Sequence, residues 1–216
     1  DAGLRVAAHQ SVPLAAGATL VIPDPARMLD PGALADWLAT TGVTIAHLTP
    51  AMASLLGAAD EEGPDGVRVI AGPALPRLRV ALIGGDSLPP REAERLRRLL
   101  PGSIVASVYG ATETPQIMAM HRIDEADASR ARVPIGRGID GVEVLVLDRG
   151  GRVALPGEVG EIVIRTPFLA LGYLRPEDGA ERFFDLGGSR AYRTGDLGRS
   201  VASSEVEVLG RADAQV

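Results

Sequence analysis

The chain has 216 residues, 46% of them hydrophobic, with a formal net charge of −6 and no cysteine. That length and apolar content suffice for a substantial core in one large domain or two small ones, and they exclude a disordered tail. Interleaved acids and bases leave no basic stripe for a phosphate backbone, so nucleic acid is not an expected partner. His9, His47 and His121 stand too far apart for a structural zinc site.

Residues 6–23, "VAAHQSVPLAAGATLVIP", are the nearest approach to a membrane span, but His9, Gln10, Ser11, Pro13 and Gly17 interrupt them. No membrane partner is expected. The chain starts at Asp1 with no charged-then-apolar leader, which reads as a soluble, cytoplasmic protein cut at both ends. "TLVI" (19–22) is read as a short strand. Asp30-Pro31 then supplies an N-cap and a first-turn proline for a helix through Thr41, closed by Gly42. "VTIAHL" (43–48) is the next strand, and Pro50 starts a helix through about Ala59. "LRVALIGG" (78–85) is a third strand. "PPREAERLRRLL" (89–100) is an amphipathic helix with Ala93, Leu96 and Leu100 on one face, and "SIVASVY" (103–109) is a fourth strand. Strands separated by helices imply parallel crossovers, whose ligands bind beyond the strands' carboxyl ends.

The polar stretch "DEADASRAR" (124–132) reads as a solvated loop and marks a boundary. Beyond it "VEVLVLD" (142–148), the Gly150-Gly151 turn, "EIVIRT" (161–166) and "EVEVLG" (205–210) carry the patterns of strands. The expected fold class is α/β: a partial parallel α/β sheet layer over 1–130, followed by a smaller β-rich subdomain, a distorted barrel, over 131–216.

"YGATETPQ" follows the fourth strand at the ligand-binding edge, where His47 and Thr49 and the group Gly84, Gly85 and Asp86 also arrive. Taken singly, each has a plain structural reading. Gly84-Gly85 suits a tight turn, Thr194-Gly195-Asp196 a turn with an Asx hydrogen bond, Glu113 a cap, Arg5 a surface charge and His47 a satisfied buried histidine.

In order along the chain, the set resembles the adenylate-forming enzymes, specifically the adenylation domains of nonribosomal peptide synthetases. "YGATET", "GEVGEIVIRTPFLALGYL" (157–174), "YRTGDL" (192–197) and "GRADAQV" (210–216) match four motifs of that family in order and spacing. "DPGALADWLATTGVTIAHLTPAM" extends the likeness upstream. Within the superfamily, "VTIAHLTPAM", "GGDSL" and "PIGRGIDGVEVLVLD" resemble most the α-aminoadipate reductase type and related hybrid modules.

The resemblance implies a reaction in which ATP and a carboxylic acid form an acyl-adenylate and pyrophosphate, after which a phosphopantetheine thiol on a carrier-protein domain takes the acyl group. It implies that Tyr109 packs on adenine within the Gly110-Ala111 turn, and that Thr112 bonds the α-phosphate region. Glu113 would hold Mg2+, Asp196 the ribose hydroxyls, and Arg211 the ribose or phosphate; Thr112 and Glu113 are then the catalytic pair. Asp213 matches the hinge, and Val208 stands where the family often has a larger residue near adenine.

The acid pocket implied by the resemblance takes Asp1, Ala2, Arg5, His47, Leu82, Gly84, Val108, Gln116 and Ile117, with Asp1 pairing the α-ammonium of an amino acid. Arg5 and His47 resemble the polar pair of the aminoadipate-type pocket. The family's phosphate loop and its small C-terminal domain with the catalytic lysine have no counterpart in these residues, which makes the sequence a core fragment, weak or inactive alone. Neighbouring synthetase domains are expected partners. The competing expectations are an acyl-CoA or fatty-acyl-AMP ligase and a non-catalytic adenylation-fold scaffold.

Overall fold

The structure, a computed structural model, describes residues 13–24, 32–56, 60–62, 68–70, 75–175, 179–201 and 204–212. The chain divides into two compact units: Asp1–Ser107 with Arg122–Val133, and Val108–His121 with Pro134–Val216.

In the first unit, helix α1 (Ala33–Thr41) ends at Gly42, whose φ of 69° lets its N–H reach the Leu38 and Ala39 carbonyls. Its N-cap is Gly32, with no side-chain cap. Asp30 and Pro31, expected to start it, lie outside the described residues. Strand β1 (Ile45–Leu48) follows, then Thr49, whose side chain accepts the Met52 N–H at the start of α2 (Pro50–Ser54). This helix stops well short of Ala59. The Leu55 and Leu56 N–H groups turn back to the Met52 and Ala53 carbonyls, an i to i−3 pattern that tightens the last turn and ends it.

Strands β2 (Asp60–Glu62) and β3 (Arg68–Ile70) form an antiparallel pair that the sequence did not signal. Strand β4 (Val80–Ile83), helix α3 (Pro90–Leu99) and strand β5 (Ile104–Tyr109) complete the layer. β1 and β5 both pair parallel with β4, in register Ile45 to Val80 and Val80 to Ile104. Ala93, Leu96, Leu99 and Leu100 are buried on the inner face of α3, against Leu34, Leu38, Leu48, Leu56, Ile83 and Val105. Each fully buried leucine contributes about 1.5–3 kcal/mol by removal from water. Arg95 fastens the helix further by donating to the Ala53 carbonyl at 3.1 Å.

Two expectations are corrected here. Residues 18–24 form no strand, and Ile22 is 64% exposed, so the apolar run "TLVI" buries little of itself. The stretch 124–132 is not simply a solvated loop. It contains a 3-10 helix (Glu125–Ser129) closed by a capping box, in which Asp124 accepts from Ala126 and the fully buried Asp127 accepts the Asp124 N–H at 2.8 Å. Arg130 pairs with the other Asp127 oxygen at 3.0 Å.

In the second unit, β6 (Ala119–Arg122) and β7 (Arg137–Gly138) pair antiparallel. The main sheet takes β8 (Glu143–Leu147), β9 (Val159–Arg165), β10 (Phe183–Asp185) and β11 (Arg190–Ser200) in the order β10-β11-β9-β8, and β12 (Val206–Arg211) pairs with β11. β9 lies inside this sheet, and Ile162, Val163 and Ile164 are completely buried. Bonds from Ile135 N to the Val206 carbonyl and from Val206 N to the Gly136 carbonyl tie β12 to the segment before β7. The α/β layer and the smaller β-rich part expected from the sequence are both present. Among the described residues, no helix is long and apolar enough to cross a membrane.

Candidate functional site

The β-strand alternation of β5 sends Val108 and Tyr109 to opposite faces. After Tyr109 the chain makes a compact loop. Ala111 N–H donates to Thr114 Oγ1 at 2.9 Å, Thr114 Oγ1 donates back to the Ala111 carbonyl at 3.0 Å, and Met118 N–H returns to the Tyr109 carbonyl at 2.7 Å. Thr114 is therefore buried and structural, while Thr112 is exposed at the loop's crest. Gly110 is obligatory, because a Cβ there would collide with the Gln116 carbonyl. Gln116 itself takes φ 61°, an uncommon left-handed conformation for a residue with a side chain.

The second element of the site is an irregularity in β11. Its register with β9 shifts between Arg193 and Leu197, so that Thr194, Gly195 and Asp196 leave the ladder. Thr194 Oγ1 donates to the Ile162 carbonyl at 2.8 Å and accepts the Asp196 N–H at 3.0 Å, so the turn within the bulge is made by a threonine hydroxyl and not by the Asx hydrogen bond of the sequence reading. Glu161 braces it from β9: one carboxylate oxygen accepts Arg193 Nη1 at 2.7 Å and the other the Gly195 N–H at 3.3 Å.

Loop and bulge meet at a carboxylate. The Tyr109 hydroxyl donates to Asp196 Oδ2 at 2.5 Å, and Arg211 Nη1, opposite Asp196 in the β11–β12 register, donates to Oδ1 at 3.2 Å. Burial first, and the neighbouring Asp196 charge second, push the Tyr109 phenol far above its ordinary value, so it stays a protonated donor. Gly195, at φ 76°, leaves room for Arg211, whose Nη2 would sit 2.9 Å from a Cβ at that position.

Glu113 is held separately. Its backbone carbonyl accepts the Ala170 N–H at 2.9 Å, and Oε1 accepts the Tyr173 hydroxyl at 2.7 Å. Tyr192, buried on β11, lies 3.4 Å from Tyr173, oxygen to oxygen. Among the described residues, no group of three or more His, Cys, Asp or Glu side chains stands ready to cage a metal. A single half-buried carboxylate does fit Mg2+, a hard cation that usually keeps its waters and shares one or two protein carboxylates with substrate phosphates.

Of the residues expected to read the acid, Asp1, Ala2 and Arg5 lie outside the described residues, as does the hinge residue Asp213. In the first unit His47 is paired with Leu82 across β1 and β4, both on the sheet face away from Leu48 and Ile83. Gly84 N–H caps the Leu48 carbonyl at 3.0 Å, and Gly85 takes φ 92°, as a tight turn requires. In the second unit Val108 is buried, and Gln116 and Ile117 are half-buried at the end of the loop. Sequence reasoning gave no role to Glu161, Tyr173 or Tyr192. All three lie within quoted motifs, so the signal was their position beside the residues that were assigned.

Residues 5–174, more than half the chain, match the AMP-binding enzyme family, and the chain belongs to that family. Among its relatives, it is 34% identical to the L-2-aminoadipate reductase large subunit of Eremothecium gossypii over 94% of the chain and 16% of that protein. It is 41% identical to pyochelin synthetase PchF of Pseudomonas aeruginosa over 94% of the chain and 11% of that protein. The chain thus spans between 11% and 16% of the length of these two curated relatives. Among solved structures, the nonribosomal peptide synthetase FmoA3 with alpha-methyl-L-serine-AMP bound superposes with a TM-score of 0.78 at 34% identity, over 94% of this chain and 23% of that one. Holo-PA1221, which contains adenylation and carrier (PCP) domains, gives a TM-score of 0.71 at 34% identity, over 87% of this chain and 32% of that one.

Proposed function

We propose that the protein carrying this chain activates an amino acid, joining it to ATP as an aminoacyl-AMP with release of pyrophosphate and passing it to the phosphopantetheine thiol of a carrier domain. The observation that carries this reading is the convergence of Tyr109 and Arg211 on Asp196. Together they offer an aromatic face for a flat base, a carboxylate for vicinal hydroxyls and a guanidinium for negative charge. A relative named for aminoadipate reduction, and a nonribosomal peptide synthetase structure with alpha-methyl-L-serine-AMP bound, favour an amino acid over a fatty acid.

In this reading adenine stacks on Tyr109 against the Gly110-Ala111 turn, and Asp196 accepts from the ribose hydroxyls. Arg211 lies near ribose or phosphate, Thr112 bonds the α-phosphate, and Asp213 serves as the hinge. Glu113 holds Mg2+, which supplies charge neutralisation of the polyphosphate when bound. The protein's own work is to orient the carboxylate and the α-phosphorus and to exclude water from them. Asp1, Ala2, Arg5, His47, Leu82, Gly84, Val108, Gln116 and Ile117 select the acid.

The test is amino-acid-dependent ATP–pyrophosphate exchange by the full-length protein. Glu113→Ala and Asp196→Ala should each depress it at least about a hundredfold, the scale of losing one fixed electrostatic partner. Unchanged exchange in both, or simple carboxylic acids outcompeting amino acids in the wild type, would contradict the reading.

A further inference from the structure

The Tyr173 side chain has no assigned task, yet its ring and its hydroxyl both have defined partners. Its ring meets Phe183 edge-on at 5.6 Å, and Phe183 in turn packs on Tyr192 at 5.0 Å. Gly179 is small where Tyr173 needs room, since a Cβ there would stand 2.9 Å from the ring. The hydroxyl so placed donates to Glu113 Oε1 at 2.7 Å, with the Tyr192 hydroxyl 3.4 Å behind it.

We propose that Tyr173, backed by Tyr192, is a positioning residue for the cation: its hydroxyl occupies one oxygen of Glu113 and aims the other at Mg2+. The proposal rests on the assignment of the cation to Glu113. A carboxylate free to rotate would have to be fixed at the moment of binding. One already held by a phenol and anchored through its own backbone to Ala170 is pre-oriented, and it presents one oxygen rather than a bidentate pair. That geometry suits a small cation that keeps most of its water and takes its remaining ligands from phosphate.

The test uses the full-length protein with AMP and titrates Mn2+ by its electron paramagnetic resonance signal, alongside the Mg2+ dependence of pyrophosphate exchange. Tyr173→Phe keeps the ring and removes only the hydroxyl. It should weaken Mn2+ binding about tenfold, the cost of one hydrogen bond to a charged group. It should raise the half-saturating Mg2+ by the same factor, leave the amino-acid KM unchanged, and recover its rate at high Mg2+, which a merely structural defect would not do. Tyr192→Phe should shift both quantities in the same direction by about two- to threefold, which keeps the idea testable if Tyr173→Phe does not fold. Wild-type Mn2+ affinity in both tyrosine variants, with affinity lost in Glu113→Ala, would overturn the proposal alone. Undiminished Mn2+ binding in Glu113→Ala would overturn it together with the cation assignment.

Discussion

The Tyr109 hydroxyl and the Asp196 carboxylate, separated by 87 positions in sequence, form a 2.5 Å hydrogen bond that ties the loop after β5 to the bulge in β11. Neither side chain is then free to seek its ligand. The bond fixes the plane of the Asp196 carboxylate, while Arg211 holds its second oxygen.

Removing only that bond gives the first prediction. Tyr109→Phe keeps an aromatic face for adenine but releases Asp196, so the KM for ATP should rise at least about tenfold, as loss of a hydrogen bond to a charged group predicts. The amino-acid KM should hardly change. Steady-state pyrophosphate exchange at varied ATP checks both; an unchanged ATP KM would show that Asp196 is oriented without Tyr109.

The loop itself tolerates less. Gly110→Ala places a methyl against the Gln116 carbonyl, an atom that the return of Met118 N–H to Tyr109 does not allow to retreat. The expected loss is about 2–4 kcal/mol of stability, in the range of overpacking combined with backbone strain. Urea unfolding of the variant checks it, and a loss under about 0.5 kcal/mol, the range of ordinary surface substitutions, would mean that the loop rearranges at little cost.

Stability should also carry a tyrosine signature at high pH. Tyr109 and Tyr192 both have folded-state values pushed upward, chiefly by burial, so folding favours their protonated forms. The associated stability is fully present below the unfolded value of about 10 and is lost as pH rises from there toward the folded values. Denaturant midpoints should therefore hold from pH 7 to 9 and fall above about pH 10, with the fall blunted in Tyr109→Phe and in Tyr192→Phe. An equal fall in both variants would assign it to other groups.

The helices of the first unit were legible in the sequence because local signals agreed there. Gly42 after α1, Pro90 within the first turn of α3 and the apolar spacing of Ala93, Leu96 and Leu100 all point to one answer. "TLVI" failed for the opposite reason: β-propensity records a fit to neighbouring strands, and residues 18–24 have none among the described residues. Asp127 was misjudged by composition. A carboxylate in "DEADASRAR" reads as solvated, yet the capping bond to Asp124 N–H and the Arg130 pair allow it to be buried completely. Glu161 and Tyr173 escaped notice because a motif names residues but not the contacts among them, and their partners at Gly195 and Glu113 lie 34 and 60 positions away.

The central claim is that Asp196, set between Tyr109 and Arg211, reads the ribose of an aminoacyl-adenylate. It is tested most directly by calorimetric titration of the full-length protein with a panel of non-hydrolysable aminoacyl-sulfamoyl adenosines, in wild type and in Asp196→Ala. The account predicts saturable binding whose strength ranks by amino-acid side chain and weakens at least about tenfold in Asp196→Ala, the cost of leaving paired hydroxyls unmatched. Binding to no member of the panel, or equal affinity in the two proteins, would contradict it.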